Sequence, residues 1–200
     1  YGVFGPNGSG KTTLFKIITG LNKPSAGTVT IKGFPIGVET KKRTAFMPTE
    51  DYLFKWMKAK MILDFYQDMY EDFDRAKAME NLDYMELNEN MKVGSLSTGM
   101  KARLKLAVTL ARKADLYLLD EPLNGIDPVS REKTLKLIVS SLNENSTMMI
   151  SSHLVNELEA ILDDILFLDK GKVVLAGDAE KFRMEKQCSI EELYKEVYHA

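Results

Sequence analysis

Two hundred residues, 44% hydrophobic and 28% charged, are enough for one globular domain, or for one domain carrying a small inserted subdomain. The 27 Lys and Arg against 29 Asp and Glu leave no net field that would recruit nucleic acid or an anionic membrane. Cys188, the single cysteine, excludes an internal disulfide and fits a reducing compartment, and no run approaches the ~18 apolar residues of a membrane span.

Tyr1 to Phe4 reads as the end of a strand, followed by a Gly-rich turn and a helix from about Gly10 to Thr19. A strand feeding that turn should be longer, so the natural N-terminus is expected upstream. Thr28 to Lys32 alternates with period two and reads as a strand ending at Gly33. The basic run Lys41-Lys42-Arg43 is read as a solvated loop. A short strand is expected from Arg43 to Met47.

From Trp56 to Leu87 the pattern turns helical, with Met57, Met61, Phe65, Tyr66 and Met69 at helical spacing. Thr98 to Arg112 is expected as a helix presenting Met100, Leu104, Ala107, Val108 and Ala111 on one face. Alternation of strand and helix then resumes. Strands are expected at Leu116–Leu119, Thr147–Ser151, Ile165–Leu168 and Val173–Ala176. Helices are expected from Pro128, with Leu135, Ile138, Val139 and Leu142 inward, at Leu154–Leu162, and at Ile190–Tyr198. The fold class is α/β: a parallel-sheet core from 1–50 and 114–200, with a helical insertion at 51–113.

Gly5-Pro6-Asn7-Gly8-Ser9-Gly10-Lys11-Thr12 satisfies G-x-x-x-x-G-K-[ST]. Its glycines let the backbone fold so that N–H groups point at phosphate oxygens, and the helix behind adds its positive end. Lys11 supplies a full charge and Thr12 a hydroxyl for Mg²⁺. A dinucleotide fingerprint is rejected because Thr13 stands where its third glycine belongs. Asp120-Glu121 closes an apolar strand at the ligand edge of a parallel sheet. Asp120 is the expected Mg²⁺ partner and Glu121 the expected general base. His153, at another strand end, would by itself be an ordinary structural histidine; His199 is read as solvated.

Leu96-Ser97-Thr98-Gly99-Met100-Lys101 resembles the L-S-G-G-Q signature of ATP-binding-cassette (ABC) ATPases. With it, Gly5–Thr12 resembles the Walker A loop and Leu116–Glu121 the Walker B strand. Leu123–Asp127 resembles the D-loop, and His153 falls at the switch histidine. Five motifs in order cover essentially the whole chain. The resemblance is to ATPase subunits of bacterial ABC-2-type exporters. It implies ATP and Mg²⁺ as ligands, with nucleotide contacts from Gly5, Asn7, Gly8, Ser9, Gly10, Lys11, Thr12 and Thr13. Ser97 and Gly99 would then bind the γ-phosphate held by a second subunit, in a homodimer or with a paralogue. Asp127 would bridge the subunits.

The resemblance further implies an integral-membrane permease partner, no nucleic acid, and a position on the cytoplasmic face of the membrane. The segment Asp51–Tyr66 sits where this family receives the permease; the same residues could instead only pack the helical subdomain. Thr98 and Met100 depart from the signature. Thr49 occupies the place of the Q-loop glutamine, with Glu50 the nearest group that could take over its contacts. The adenine-stacking aromatic would lie upstream of Tyr1. Cassettes acting on DNA carry a long coiled coil between Walker A and signature, whereas about 85 residues separate Lys11 from Leu96 here. Translation-type relatives carry two cassettes in one chain. A catalytically dead binding module is disfavoured by Lys11, Asp120, Glu121 and His153 together.

Overall fold

The computed structural model describes residues 1–199, with side chains to residue 198; the side chain of His199 lies outside the described residues. Strand β1 (Gly2–Phe4) leads through the glycine loop into α1 (Lys11–Ile18). A small hairpin, β2 (Thr30–Ile31) and β3 (Phe34–Pro35), precedes α2 (Val38–Lys42) and β4 (Thr44–Met47). Three helices follow: α3 (Ala59–Met69), α4 (Arg75–Tyr84) and α5 (Thr98–Thr109). Then come β5 (Leu116–Asp120), α6 (Pro128–Ser140), β6 (Thr147–Ser152) and α7 (Val155–Leu158). The chain closes with β7 (Asp164–Asp169), β8 (Lys172–Asp178), α8 (Ala179–Lys186) and α9 (Ile190–His199).

The main sheet runs β4-β5-β6-β1-β7-β8. Its inner strands are continuous apolar runs because helices cover both faces of a parallel sheet. β8 departs from the expected all-parallel sheet: it pairs antiparallel with β7 through a tight turn and carries exposed Val173 and Val174 on the sheet edge. β1 lies between β6 and β7, where it interrupts the chain order of its neighbours, and the carboxyl ends of such strands are where open α/β sheets hold ligands.

Four local readings need correction. Lys41 and Lys42 lie in α2, a helix rather than a loop, and Arg43 pairs with Asp115 at 3.2 Å. Helix α5 is buried through six consecutive residues, Leu104 to Thr109, not along one stripe, because α3 and α4 pack on it from one side and β4 from the other. On α6 Ile138 is buried and Leu135 packs against the core as expected, but Thr134 and Leu137 complete the inner face, whereas Val139 and Leu142 are exposed. Thr134 can be buried because its hydroxyl donates to Ser130 O at 2.8 Å. Helix α8 was not anticipated: it buries only Ala179 and is held by the Asp178 cap on Lys181 N.

One apolar core runs from the sheet into the three helices, including Met47, Leu63, Leu82, Met85 and Leu104. Arg112 fastens the two parts. Its guanidinium, 4% exposed, donates to Thr44 O, Lys42 O and both oxygens of Asp72, and lies 3.9 Å from the Tyr70 ring centre. Truncation strands two carbonyls and a carboxylate that keeps partial access to water. Arg112→Ala is therefore expected to lose about 2–3 kcal/mol in urea unfolding, mostly from the carbonyls left unpaired; a loss below 1 kcal/mol would show the network is dispensable.

Candidate functional site

Parallel registry brings three strand ends to one edge: Asp120 of β5 is level with Ser151 of β6, and Phe4 of β1 with Ser152. Asp120 is fully buried, and each carboxylate oxygen has a donor. Thr12 Oγ1 donates to Oδ2 at 2.7 Å, and Ser151 Oγ donates to Oδ1. Ser151 Oγ also accepts from Glu121 N at 3.0 Å. Ser151 thus holds both acidic residues, a role invisible in sequence because only strand order places it there.

Glu121 has φ 52, left-handed backbone that costs a non-glycine residue on the order of 1 kcal/mol. That turn aims its carboxylate across the site. Glu121 Oε1 lies 3.9 Å from Lys11 Nζ, and Oε2 accepts from His153 Nδ1 at 2.8 Å. Lys11, 7% exposed, donates to Gly5 O at 2.7 Å and Pro6 O at 3.3 Å. Burial pulls its pKa below the ordinary lysine value, against the opposing pull of Glu121 and Asp120.

The loop has the properties of an anion cradle. Gly5 must lack a side chain, since a Cβ there would stand 2.3 Å from Leu168 O and 2.5 Å from Ser9 Oγ. Helix α1 has no side-chain cap, and its first backbone bond to the loop runs from Leu14 N to Gly10 O. Among the described residues the amides of Lys11, Thr12 and Thr13 have no acceptor, and buried Ser9 Oγ has no partner. Pro6, Asn7 and Gly8 form the exposed apex. A triphosphate fits this loop, and Thr12 with Asp120 is an oxygen donor pair suited to Mg²⁺.

Among the described residues Ser97 and Gly99 make no side-chain hydrogen bond to that group, while Thr98 between them shares a cavity with Glu121. Ser97 caps α5, accepting from Met100 N at 3.2 Å. Gly99 is needed within the chain itself, because a Cβ would meet Gly125 O at 2.6 Å. The helix start and the Leu123–Asp127 loop therefore pack backbone to backbone. Asp127 caps α6, accepting from Ser130 N at 3.0 Å.

The Thr49 region holds what sequence reasoning missed. Thr49 Oγ1 donates to Asp120 O at 3.2 Å, while the Glu50 carboxylate pairs with Lys16 at 2.5 Å. Lys105, buried on α5, donates to three successive carbonyls, Pro48, Thr49 and Glu50, at 3.0–3.1 Å. Thr49, Thr98, Lys105 and Glu121 line one cavity of about 120 Å³. On the far side of residues 48–54 opens an apolar groove of about 760 Å³, walled by Phe54, Met57, Phe65, Tyr66 and Tyr70. Phe54 and Trp56 stack at 5.9 Å and are more than half exposed, as are Phe65 and Met69. These side chains form a surface; only Tyr66 of the helical series is buried. No helix among the described residues is long and apolar enough to cross a membrane.

The ABC transporter family model matches residues 1–124. The linearmycin resistance ATP-binding protein of Bacillus subtilis is 36% identical over 88% of this chain and 60% of its own length. A Nod factor export ATP-binding protein of Burkholderia orbicola is 32% identical over 97% of this chain and 67% of its own. The chain thus spans about two thirds of these relatives or somewhat less. Among solved structures, an ATP-binding subunit of an ABC transporter superposes with TM-score 0.85 at 25% identity, over 98% of this chain and 86% of that one. A dimeric ATP-binding cassette in a post-hydrolysis state with ADP and Pi superposes with TM-score 0.78 at 25% identity, over 88% of this chain and 84% of that one. Loop, strand ends, signature helix and fold agree, and the chain belongs to the ABC transporter family with the fold of its ATP-binding cassettes.

Proposed function

We propose that this chain binds and hydrolyses ATP as one half of an ATP-clamped dimer, powering export through a separate membrane permease. In this reading 1–50 and 114–200 form the nucleotide-handling core, and 51–113 the helical signature subdomain. The observation that carries it is the convergence of Lys11, Thr12, Asp120, Glu121 and His153 on one sheet edge.

Lys11, the free amides of α1 and the loop would bind the β- and γ-phosphates. Thr12 and Asp120 would hold Mg²⁺, which when bound neutralises charge on the phosphate oxygens. Glu121 would take a proton from the water that attacks the γ-phosphorus, releasing phosphate and leaving ADP. The His153–Glu121 bond limits what His153 can do. A carboxylate only accepts, so Nδ1 carries the proton, and a neutral ring then offers only a lone pair at Nε2. Donating to a phosphate oxygen requires either the imidazolium or a ring that has let go of Glu121.

Ser97 and Gly99 lie outside this convergence, which supports their use on the nucleotide of a second chain. The groove beside Phe54 and Trp56 offers the apolar surface a permease segment would need, and would hold the chain at the cytoplasmic face of the membrane. Light scattering tests the clamp. With a non-hydrolysable ATP analogue and Mg²⁺ the mass should double, and exchange into ADP should return it to monomer. A chain that stays monomeric under both conditions would overturn the sandwich.

A further inference from the structure

The chemistry above leaves unused an aromatic stack behind the phosphate loop. Tyr194 and Tyr198 of α9 lie 4.5 Å apart, and Phe167 of β7 lies 5.6 Å and 5.9 Å from them. Phe4, the residue before Gly5, continues the stack at 6.0 Å from Phe167. The stack carries one directed polar contact. Tyr198 OH donates to Leu168 O at 2.8 Å, with Phe4 O 3.5 Å away.

Leu168 O is the atom that closes off the space beside Gly5, 2.3 Å from where a Cβ would stand. Three residues on, Gly171 N donates to Ser9 O at 2.8 Å. The phosphate loop therefore rests on the end of β7 at Gly5 and on the turn that follows β7 at Ser9. The first of these is held from behind by the Tyr198 hydroxyl. We infer that α9 braces the phosphate loop and that Tyr198 is a positioning residue for nucleotide binding, acting through Leu168 and Gly5.

Burial holds the Tyr198 phenol well above its ordinary pKa, so the hydroxyl stays a donor across the working pH range. The contact is one hydrogen bond in a partly buried site. Its loss lets Leu168 O and the Gly5 backbone relax, without removing any group that touches phosphate.

The inference rests on ATP being the ligand, and the test separates the two. Tyr198→Phe keeps the ring and deletes only the hydroxyl. Titration with a fluorescent ATP analogue should show Kd raised about 3- to 10-fold, the weight of one hydrogen bond. KM for ATP should rise in parallel with kcat nearly unchanged. Tyr194→Phe, whose hydroxyl has no such bond, should bind as the wild type does. A lowered Tm with unchanged Kd and KM would mean that the Tyr198 hydroxyl serves stability alone, and would overturn the brace while leaving the nucleotide site standing. A wild-type chain that binds no ATP overturns both.

Discussion

Glu121→Gln is expected to keep ATP affinity within a few-fold of the wild type and to lower turnover by roughly 10²–10⁴-fold, the weight of a general base. The amide preserves size, can still meet Lys11 and His153 by hydrogen bonds, and leaves the Thr12–Asp120–Ser151 set untouched. What it loses is the capacity to take a proton from water. Phosphate release under single-turnover conditions, beside analogue titration, separates the two effects. Hydrolysis at the wild-type rate would remove Glu121 from the mechanism and leave His153 as the nearest candidate.

Lys11→Ala is expected to weaken ATP binding by about 100-fold, as charge-assisted hydrogen bonds to phosphate contribute about 1.5–3 kcal/mol each. It should do so without unfolding the protein. Burial lowers the Lys11 pKa, so its charged form is held at a cost, and a lysine in that position detracts from stability while protonated. Removing it relieves that cost and offsets the lost contacts to Gly5 O and Pro6 O. Calorimetric titration and a thermal melt on one sample give both numbers. An unchanged Kd would place the phosphates elsewhere than this loop.

What could be read from sequence was whatever lies close together along the chain. The loop at 5–12, the acidic pair and the helix start at Ser97 are local patterns, and each lies where its pattern indicated. Residues that work through strand order were not legible. Ser151 meets Asp120 only because β5 and β6 are neighbours in register. Tyr198 meets Leu168 only because α9 returns beneath β7. Periodicity failed where its assumption of one wet face failed, as on α5, which is buried all round from Leu104 to Thr109, and on α8, which buries almost nothing. On α6 it failed because the buried face is turned toward Thr134 and Leu137, away from Val139 and Leu142, and apolar counting passes over a threonine whose hydroxyl is satisfied by its own helix.

Lys105 reaches past side chains to grip the backbone at 48–50. Every residue type presents the same carbonyl there, while the Asp51 and Glu50 charges favour the ammonium against the cost of its burial. A change at Thr49 or Glu50 then removes that residue's own tie, to Asp120 O or to Lys16, but leaves the three backbone bonds in place, whereas position 105 has no such latitude: no shorter side chain or fixed-plane guanidinium delivers one charge to three converging oxygens. A threonine where a glutamine is expected, beside Asp120 and Glu121, can thus leave the loop in place, because its anchor comes from α5.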